Sequence, residues 1–420
     1  MSLNEWYANR EILLTGASSE LGRNLLEKLL RSFNGVKVHV LMRARDGLTP
    51  SERLFRSIFG SPGYARLLQE QPDAASRVQV HDADLARNDL GLQKRSQEML
   101  ANVSIVFRAG GPSDSLFEFC RQLRKLQAVV VADDLLRFKG DTILENSMGE
   151  RLPSGLPLTV VRLPALGPAH REPMPGYVEL LKGSTMTMVG AGHILGRPDS
   201  TVEIVPRDIA ANTLIVAAWD LGKSGGVNEP IVYNASGLNC TWDDFICKGK
   251  RANRNFRYPT FRMRGISSSM VLHYLMVLLF EWLPSYICDI ALLALGQKTK
   301  MIAEYERIRQ GLRDFEALTC RKLTVQRQKI DLLFDKLSTK DRDTFPIRTD
   351  FDIEAYILCA AASTKKYCSD ESNLKIISFF MKTMLSFVLF GCGDLELMDT
   401  FLWFSKGVNY SSSGCNDIQV

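Results

Sequence analysis

The first half of the chain alternates short apolar runs with stretches whose apolar residues recur at helical spacing. The runs predict six strands: Ile12–Thr15, Val36–Met42, Arg77–His81, Val103–Phe107, Gln127–Ala132 and Leu158–Arg162. Between the first two strands, a leucine pattern predicts an amphipathic crossover helix: Leu21, Leu25, Leu26, Leu29 and Leu30. This alternation is typical of an α/β fold with a parallel, doubly wound sheet.

A glycine-rich turn follows the first strand and opens the crossover helix. Residues 15–22 read Thr-Gly-Ala-Ser-Ser-Glu-Leu-Gly, in which Gly16 permits the tight bend and Gly22 lets helix and strand pack closely. Ser19 stands where a glycine usually lets the backbone approach a pyrophosphate, so we expect weakened binding. The pattern predicts a Rossmann-type domain whose cofactor-binding residues in this turn are Thr15, Gly16, Ser18, Ser19, Leu21 and Gly22.

Basic residues follow the second predicted strand. Arg43 stands where an NAD-preferring protein usually carries Asp or Glu for the ribose hydroxyls, and a guanidinium matches a 2′-phosphate instead. The expected cofactor is therefore NADP(H), and a solvated charged loop is the alternative interpretation. Asp84 and Leu85 follow the third strand, at the sheet edge where an adenine is expected.

Composition limits the remaining chemistry. The 420 residues, 45% apolar and 24% charged, are enough for a sizeable core and at least one further unit. Nine scattered cysteines without a Cys-x-x-Cys pair, and five histidines without ligand spacing, predict no metal site. The polar N-terminus leaves no room for a signal peptide, so we expect the main domain to face the cytosol. The net charge of +5 is mild, and no nucleic-acid partner is expected.

A basic stretch and then an apolar stretch follow the sheet-forming half. Seven basic and no acidic residues lie between Cys247 and Gly265, and Met270–Gly296 is mostly apolar but interrupted at Pro284. Each apolar arm is shorter than the roughly 20 residues of a spanning helix. The pattern predicts two half-helices hinged at the proline, lying on or re-entering a membrane beside anionic headgroups. A buried helical hairpin is the alternative. A second apolar run, Ile376–Phe390, is also short.

These patterns divide the chain into four parts. The division is a Rossmann-type domain over 1–265, an apolar membrane-associated hairpin over 266–297, a small helical C-terminal domain over 298–362, and a tail with the second apolar segment over 363–420. Within the third part, Lys298–Leu337 is charged and carries apolar residues at helical spacing, which predicts a soluble helical cap.

An ordered set of motifs resembles the fatty acyl-CoA reductase family, a branch of the extended short-chain dehydrogenases. The set is the turn at 15–22, Leu41-Met42-Arg43, Asp84-Leu85, Val160-Val161-Arg162-Leu163-Pro164, Pro173-Met174-Pro175-Gly176-Tyr177, Ile204-Val205-Pro206-Arg207-Asp208 and Leu337-Ser338-Thr339-Lys340-Asp341-Arg342. It spans nearly all of residues 10–360. The resemblance implies that NADPH reduces a long-chain fatty acyl-CoA to a fatty alcohol on a membrane, with the endoplasmic reticulum or the peroxisome as implied organelles.

The resemblance also implies a catalytic tyrosine, a lysine four residues later, and a Ser or Thr that polarises the carbonyl. None of the eleven tyrosines has a lysine at that offset. Alignment to the family puts Thr142 and Asn146 at the lost Tyr and Lys positions, and Asp133 and Asp134 at the Ser/Thr pair. A threonine hydroxyl is far less acidic than a phenol, and two carboxylates would repel an oxyanion. We therefore assign no catalytic residue.

Two functions from different classes follow. The first is an NADPH-dependent fatty acyl-CoA reductase of lipid metabolism with impaired catalysis. The second is a pseudoenzyme: a catalytically inactive, membrane-associated protein derived from that family, which binds NADP(H) or acyl-CoA. Family resemblance favours the first. The second is favoured by the unfilled catalytic positions and by short connections, between Phe107 and Val129 and between Asp134 and Thr142, where the family has longer ones.

Overall fold

A computed structural model describes most of the chain up to Cys368. The described residues are 1–110, 114–138, 140–146, 152–179, 192–225, 229–252, 265–294, 296 and 301–368. Two sequence predictions lie wholly or partly outside them: the second apolar run, Ile376–Phe390, and four members of the basic stretch, Arg254, Arg257, Arg262 and Arg264.

Seven strands form one parallel sheet, in the order β12-β7-β5-β4-β1-β2-β3, and the remaining strands are short and pair outside it. In chain order, all strands of the described residues are β1 (Glu11–Thr15), β2 (Lys37–Met42), β3 (Val78–Asp82), β4 (Ile105–Arg108), β5 (Ala128–Asp134), β6 (Thr142–Ile143), β7 (Leu158–Leu163), β8 (Ala165–Gly167), β9 (His193–Leu195), β10 (Thr201–Val202), β11 (Ile204–Pro206), β12 (Ile231–Asn234), β13 (Leu238–Thr241), β14 (Gly265–Ser267) and β15 (Thr324–Val325). All six predicted strands are confirmed as members. The pattern missed the seventh member, β12.

Helices connect and cover these strands. In chain order they are α1 (Leu3–Tyr7), α2 (Glu20–Ser32), α3 (Pro50–Glu52), α4 (Ala65–Glu70), α5 (Lys94–Met99), α6 (Asp114–Gln122), α7 (Arg207–Lys223), α8 (Trp242–Ala252), α9 (Met270–Val277), α10 (Leu283–Ala294), α11 (Met301–Thr319), α12 (Gln328–Asp335), α13 (Thr339–Thr344) and α14 (Ile353–Cys368). π-helical segments extend α3 over Arg53–Ile58 and join α9 to α10 over Leu278–Trp282.

The sheet is buried on both faces. On one face, leucines of α2, such as Leu25 and Leu29, share a core with Ile209 and Leu214 of α7. On the other face, Leu116 of α6 packs in a second core with residues from β1, β2, β4, β5, β7 and β12. Strands buried on both faces appear in sequence as continuous apolar runs, which is why the pattern located them. The doubly wound, Rossmann-type α/β fold is confirmed.

The predicted hinge at Pro284 is wrong. The chain stays helical from Met270 to Ala294, through α9, the π segment and α10. At the end of the π segment the Leu283 N–H bonds to the Leu278 carbonyl, five residues back. This wider turn precedes the proline and accommodates its ring and its missing N–H without breaking the helix. The structure thus replaces two half-helices with one continuous helix, residues 270–294.

The C-terminal part combines helices with one short strand. In the described part of the predicted cap, α11 and α12 are separated by β15, which pairs in parallel with β6. β14, at the predicted boundary near residue 265, pairs with β9, and α14 runs through the predicted boundary at 362/363. The four-part division of the chain stays a prediction.

Three titratable side chains line up across the edge of the sheet. His39 Nδ1 lies 3.0 Å from His81 Nε2, and His39 Nε2 lies 3.5 Å from a Glu11 carboxylate oxygen. Both imidazoles are almost fully buried. Burial and the neighbouring His39 lower the pKa of His81 to about 4, and burial also lowers the pKa of His39.

The His39–His81 pair makes the free energy of unfolding depend on pH. The folded pKa of His81 lies below its ordinary value, so between pH 6.5 and pH 4 the unfolded chain binds a proton that the folded chain does not. Stability therefore falls as the pH falls through that window, by at most about 1.4 kcal/mol per pH unit for one proton. We expect His81→Gln to reduce this loss. Urea unfolding at pH 7, 6, 5 and 4.5 measures it; parallel curves for wild type and variant would contradict the assignment.

Candidate functional site

The turn between β1 and α2 is built from close backbone contacts. Gly16 has φ +77°, and a Cβ there would lie 2.7 Å from the Gly110 nitrogen at the end of β4. A Cβ on Gly22 would lie 2.1 Å from the Gly16 carbonyl oxygen. Both positions therefore exclude any side chain, and the N-terminus of α2 is held directly over the carboxyl end of β1. This is the geometry that the sequence predicted for Gly16 and Gly22.

Ser19 differs from the expectation in what its side chain does. It is the N-cap of α2: its Oγ accepts a hydrogen bond from the Gly22 N–H at 3.0 Å and donates one to the Ala109 carbonyl at 3.2 Å. The hydroxyl is thus bonded to the helix and to the end of β4. The cap contributes about 1 kcal/mol to the stability of such a helix.

The other predicted residues of the turn are divided between core and surface. Thr15 is fully buried, and its hydroxyl donates to the Gly110 carbonyl at 3.3 Å. Leu21 packs in the core beneath α2, whereas Ser18 is exposed. Thr15 and Leu21 therefore fix the shape of the turn from below, and Ser18 offers its polar groups at the surface.

A cavity of about 420 Å³ lies at the carboxyl ends of β2 and β3. It brings together the two predicted residues Arg43 and Asp84, whereas Leu85 packs half-buried against the second core. One Asp84 oxygen accepts from the Ala86 N–H at 3.1 Å, and the other lies 3.5 Å from Arg87. Two further residues line this cavity and were missed as site residues: His81, which lies at the end of β3, and Arg87, which the loop after β3 brings beside Arg43.

These two regions fit a dinucleotide with a 2′-phosphate. Because Gly16 and Gly22 lack side chains, the turn is tight enough to bring the N-terminus of α2 over the end of β1, which is where a Rossmann fold holds a phosphate. The cavity at β2 and β3 supplies two guanidinium groups, Arg43 and Arg87, at the position where the adenosine ribose of a Rossmann ligand lies. The residues present therefore suit NADP(H).

The carboxyl end of β5 carries acids instead of hydroxyls. Asp134 accepts a hydrogen bond from the Leu136 N–H at 2.9 Å, and Asp133 lies 4.0 Å from Arg137. Nearby Arg162, on β7, is 2% exposed, donates to the Leu144 carbonyl at 3.0 Å and stacks 4.2 Å from the Phe138 ring centroid. This region is held by ion pairs and backbone bonds.

The positions aligned with the lost Tyr and Lys do not lie on a helix. Thr142 is exposed on β6, in register with Thr324 of β15. Asn146 lies in a turn, where its Oδ1 accepts a hydrogen bond from Lys329 at 3.1 Å. Both residues are therefore tied to the C-terminal part of the chain. The Ser-Met-Gly-Glu segment after Asn146 lies outside the described residues.

In the continuous helix over residues 270–294, large apolar side chains are exposed and polar side chains are buried. Its outward face, which we call the apolar stripe, consists of Met270, Val271, Leu272, Tyr274, Leu275, Leu278, Leu279, Leu283, Tyr286, Ile290 and Leu293, all exposed. Its polar residues His273, Glu281, Ser285 and Asp289 are buried. A helix of a water-soluble domain shows the opposite arrangement. The stripe is larger than the apolar patches that such domains usually expose.

The buried polar residues of this helix bond to the rest of the molecule. Glu281 accepts from Arg309 Nη1 at 3.0 Å and from the His193 N–H at 2.5 Å. The His273 and His193 rings approach to 3.0 Å between their Nδ1 atoms, and Asp289 accepts from the Ile302 N–H at 3.1 Å. The helix is thus attached through polar contacts, and its apolar side chains are exposed. Within the described residues, the predicted alternative of a buried helical hairpin does not fit.

The basic stretch before this helix is partly neutralised. Of its described members, Lys248 pairs with Asp244 at 2.6 Å and Arg251 with Glu354 at 2.9 Å, whereas Lys250 is exposed.

Across the part of the chain that the structure describes, Met270–Ile287 is the single helical window long and apolar enough to cross a membrane, and 22% of it is buried. In the same residues no group of His, Cys, Asp and Glu is placed to hold a metal ion.

Two family models match the chain. An NAD-binding model described as male sterility protein matches residues 14–131, and a second model with the same description matches residues 280–371. The first match ends three residues short of the end of β5, before Asp133 and Asp134. It contains the turn, Arg43 and the cavity at β2 and β3, and it confirms the expected NADP(H) cofactor.

Curated relatives and solved structures agree with these matches. The chain is 24% identical to fatty acyl-CoA reductase 1 of Rattus norvegicus, over 88% of this chain and 87% of the relative, and 23% identical to its Homo sapiens counterpart over the same shares. The alignment runs over 458 positions, more than the 420 residues of this chain, so the relatives contain residues that this chain lacks.

The fold has a solved counterpart. The reductase domain of a nonribosomal peptide synthetase from Mycobacterium tuberculosis superposes with a TM-score of 0.59 at 15% identity, over 85% of this chain and 91% of that chain. The similarity extends beyond the sheet into the C-terminal part. This likeness concerns the fold. The two matched regions and the relatives aligned over 88% of the chain show that the chain belongs to the fatty acyl-CoA reductase family.

Proposed function

We propose that this chain is an NADP(H)- and acyl-CoA-binding protein of the fatty acyl-CoA reductase family, attached to a membrane surface and unable to reduce its ligand efficiently. The observation that carries this proposal is the contrast between the two halves of the site. The cofactor half keeps its glycine turn and its paired arginines. The half at the ends of β5 and β6 carries Asp133, Asp134 and Thr142 where proton transfer needs a hydroxyl pair and a phenol.

The cofactor half acts through shape and charge. Gly16 and Gly22 set the tight turn that places the N-terminus of α2 over the strand end, and the backbone N–H groups and helix dipole there favour an anion. Arg43 and Arg87 bind the 2′-phosphate through several fixed donors, and Asp84 orders the loop beside them. NADPH, when bound, would supply a hydride to a carbonyl substrate.

The reaction half cannot supply the matching proton. The hydroxyl of Thr142 is exposed on a strand paired with β15. Asn146, aligned with the lost Lys, is neutral and cannot supply the positive charge that makes a nearby hydroxyl more acidic. Of the described tyrosines, Tyr177 donates to Glu179, and burial together with that carboxylate raises the Tyr177 pKa well above its ordinary value. It too is a poor acid at neutral pH.

The apolar stripe is the proposed membrane contact. Eleven large side chains face outward from one helix, so lying in the interface between headgroups and acyl chains removes them from water. The basic stretch, which includes the exposed Lys250, precedes the helix in the sequence. Its positive charges favour anionic headgroups. In this arrangement the Rossmann-type domain faces the cytosol and meets long-chain acyl-CoA at the membrane surface.

Cofactor binding is tested at the turn. We expect Gly16→Ala to weaken NADPH binding at least about tenfold, because its Cβ would meet the Gly110 backbone and distort the turn. Gly155→Ala is the matched control: Gly155 also has φ +77°, but nothing lies within 4 Å of its Cβ position. Titration of NADPH fluorescence measures both, with thermal melting as a check of folding. Equal affinities for the two variants would contradict a phosphate in this turn.

Catalysis is tested by turnover. With NADPH, a long-chain acyl-CoA and lipid vesicles, we expect no NADPH oxidation above the protein-free rate, because no Tyr has a Lys four residues later. The rat relative, assayed in parallel, shows that the conditions support the reaction. Aldehyde or alcohol formed only when NADPH is present would overturn this part of the proposal and establish the alternative, an active reductase.

Membrane attachment is tested on the stripe. We expect Leu278→Glu with Ile290→Glu to reduce binding to phosphatidylcholine–phosphatidylserine vesicles about tenfold, since each charge replaces an apolar group that lipid would cover. Leu332→Glu is the control, because Leu332 on α12 is 62% exposed, comparable with Leu278 at 58%. Vesicle flotation measures the bound fraction. Unchanged flotation of the stripe variant would show that the helix does not contact lipid.

A further inference from the structure

An acidic side chain lies at the N-terminus of α2, directly after the cofactor turn. Glu20 is the first residue of α2, directly after the N-cap Ser19, and its side chain is 28% exposed. Its carboxylate lies 3.6 Å from Nη2 of Arg207, the first residue of α7. A negative charge is therefore fixed at a helix N-terminus that is built to receive a phosphate.

Arg207 is a buried cation with an unused donor. It is 1% exposed, and its Nε donates to the Gly167 carbonyl at 3.2 Å. Its Nη2, buried next to Glu20, makes no hydrogen bond within the described residues, since the 3.6 Å approach is an ion pair beyond hydrogen-bond length. A buried guanidinium donor without a partner is costly, so this atom is placed to gain from a closer anion.

We propose that Glu20 is an internal competitor for the phosphate of the dinucleotide, and that Arg207 is the phosphate ligand that Glu20 occupies in the free protein. This inference rests on the proposed cofactor binding. When a phosphate enters the turn, the Glu20 carboxylate moves outward into solvent, because two anions cannot share the helix N-terminus. The Arg207 Nη2 then donates to a phosphate oxygen, forming a charge-assisted hydrogen bond in place of the long ion pair.

The sign of the effect follows from electrostatics. Displacing Glu20 breaks its attraction to Arg207 and brings a carboxylate near a phosphate, and both changes oppose binding. Neutralising Glu20 removes both penalties while leaving the Ser19 cap and the two glycines in place. The NADPH affinity of this site would thus depend strongly on the charge of one residue, Glu20.

The test compares NADPH affinities by fluorescence titration. We expect Glu20→Gln to bind NADPH about tenfold more tightly than wild type, from the charge interactions at this distance. Asp73→Asn is the matched control, because it removes the same charge from an exposed residue at the opposite end of β3; its affinity should stay within about twofold of wild type. An equal gain in both variants, or none in Glu20→Gln, would overturn the proposal.

A second pair of variants isolates Arg207. We expect the NADPH affinity of Glu20→Gln to fall when Arg207→Met is added and to be largely kept when Arg207→Lys is added, because lysine retains the charge. Thermal melting confirms folding of each variant. An affinity of Glu20→Gln that Arg207→Met leaves unchanged would show that Arg207 is not the phosphate ligand. Failure of every protein, wild type and Glu20→Gln included, to bind NADPH would overturn cofactor binding itself, which is a distinct result.

Discussion

The contact between two backbones at the end of β1 constrains the rest of this structure. The Gly16 carbonyl touches the first turn of α2 at Gly22, and the Gly16 Cα faces the backbone of Gly110 at the end of β4. No side chain fits at either glycine. Because α2 is thereby held over the centre of the sheet, its leucines meet α7, and the two helices close one face of the core. The same contact leaves the helix N-terminus open, so the packing of the fold and the shape of the cofactor site have one origin.

Local patterns predicted the parts of the molecule that depend on local rules. The six strands, the leucine pattern of α2 and the glycines of the turn follow from burial period and backbone freedom, and the structure contains them. The hinge predicted at Pro284 is wrong, because a π segment of five residues accommodates a proline that usually breaks a helix. The long-range features were beyond a linear pattern: Arg87 joins Arg43 only through the loop after β3, and Arg207 meets Glu20 across more than 180 residues.

Several charged side chains of this protein are buried in ion pairs that the amino-acid composition does not reveal. The 270–294 helix carries its acids and histidine inward, where Arg309 and His193 bond to them, and presents its apolar residues to the outside. At the N-terminus of α2, the Glu20 carboxylate lies 3.6 Å from the guanidinium of Arg207 on α7. In both places an acid and an arginine from separate helices form an ion pair, which the overall net charge of +5 does not reveal.

The pairing of β6 with β15 limits what substitutions at Thr142 and Asn146 can do. In an α-helix, side chains four residues apart lie about 6 Å from each other, whereas on an extended strand they lie about 13 Å apart. A tyrosine at Thr142 and a lysine at Asn146 would stand in an extended strand and a turn that are tied to Thr324 and Lys329. The two substitutions alone would therefore not form the close pair that a helix brings together.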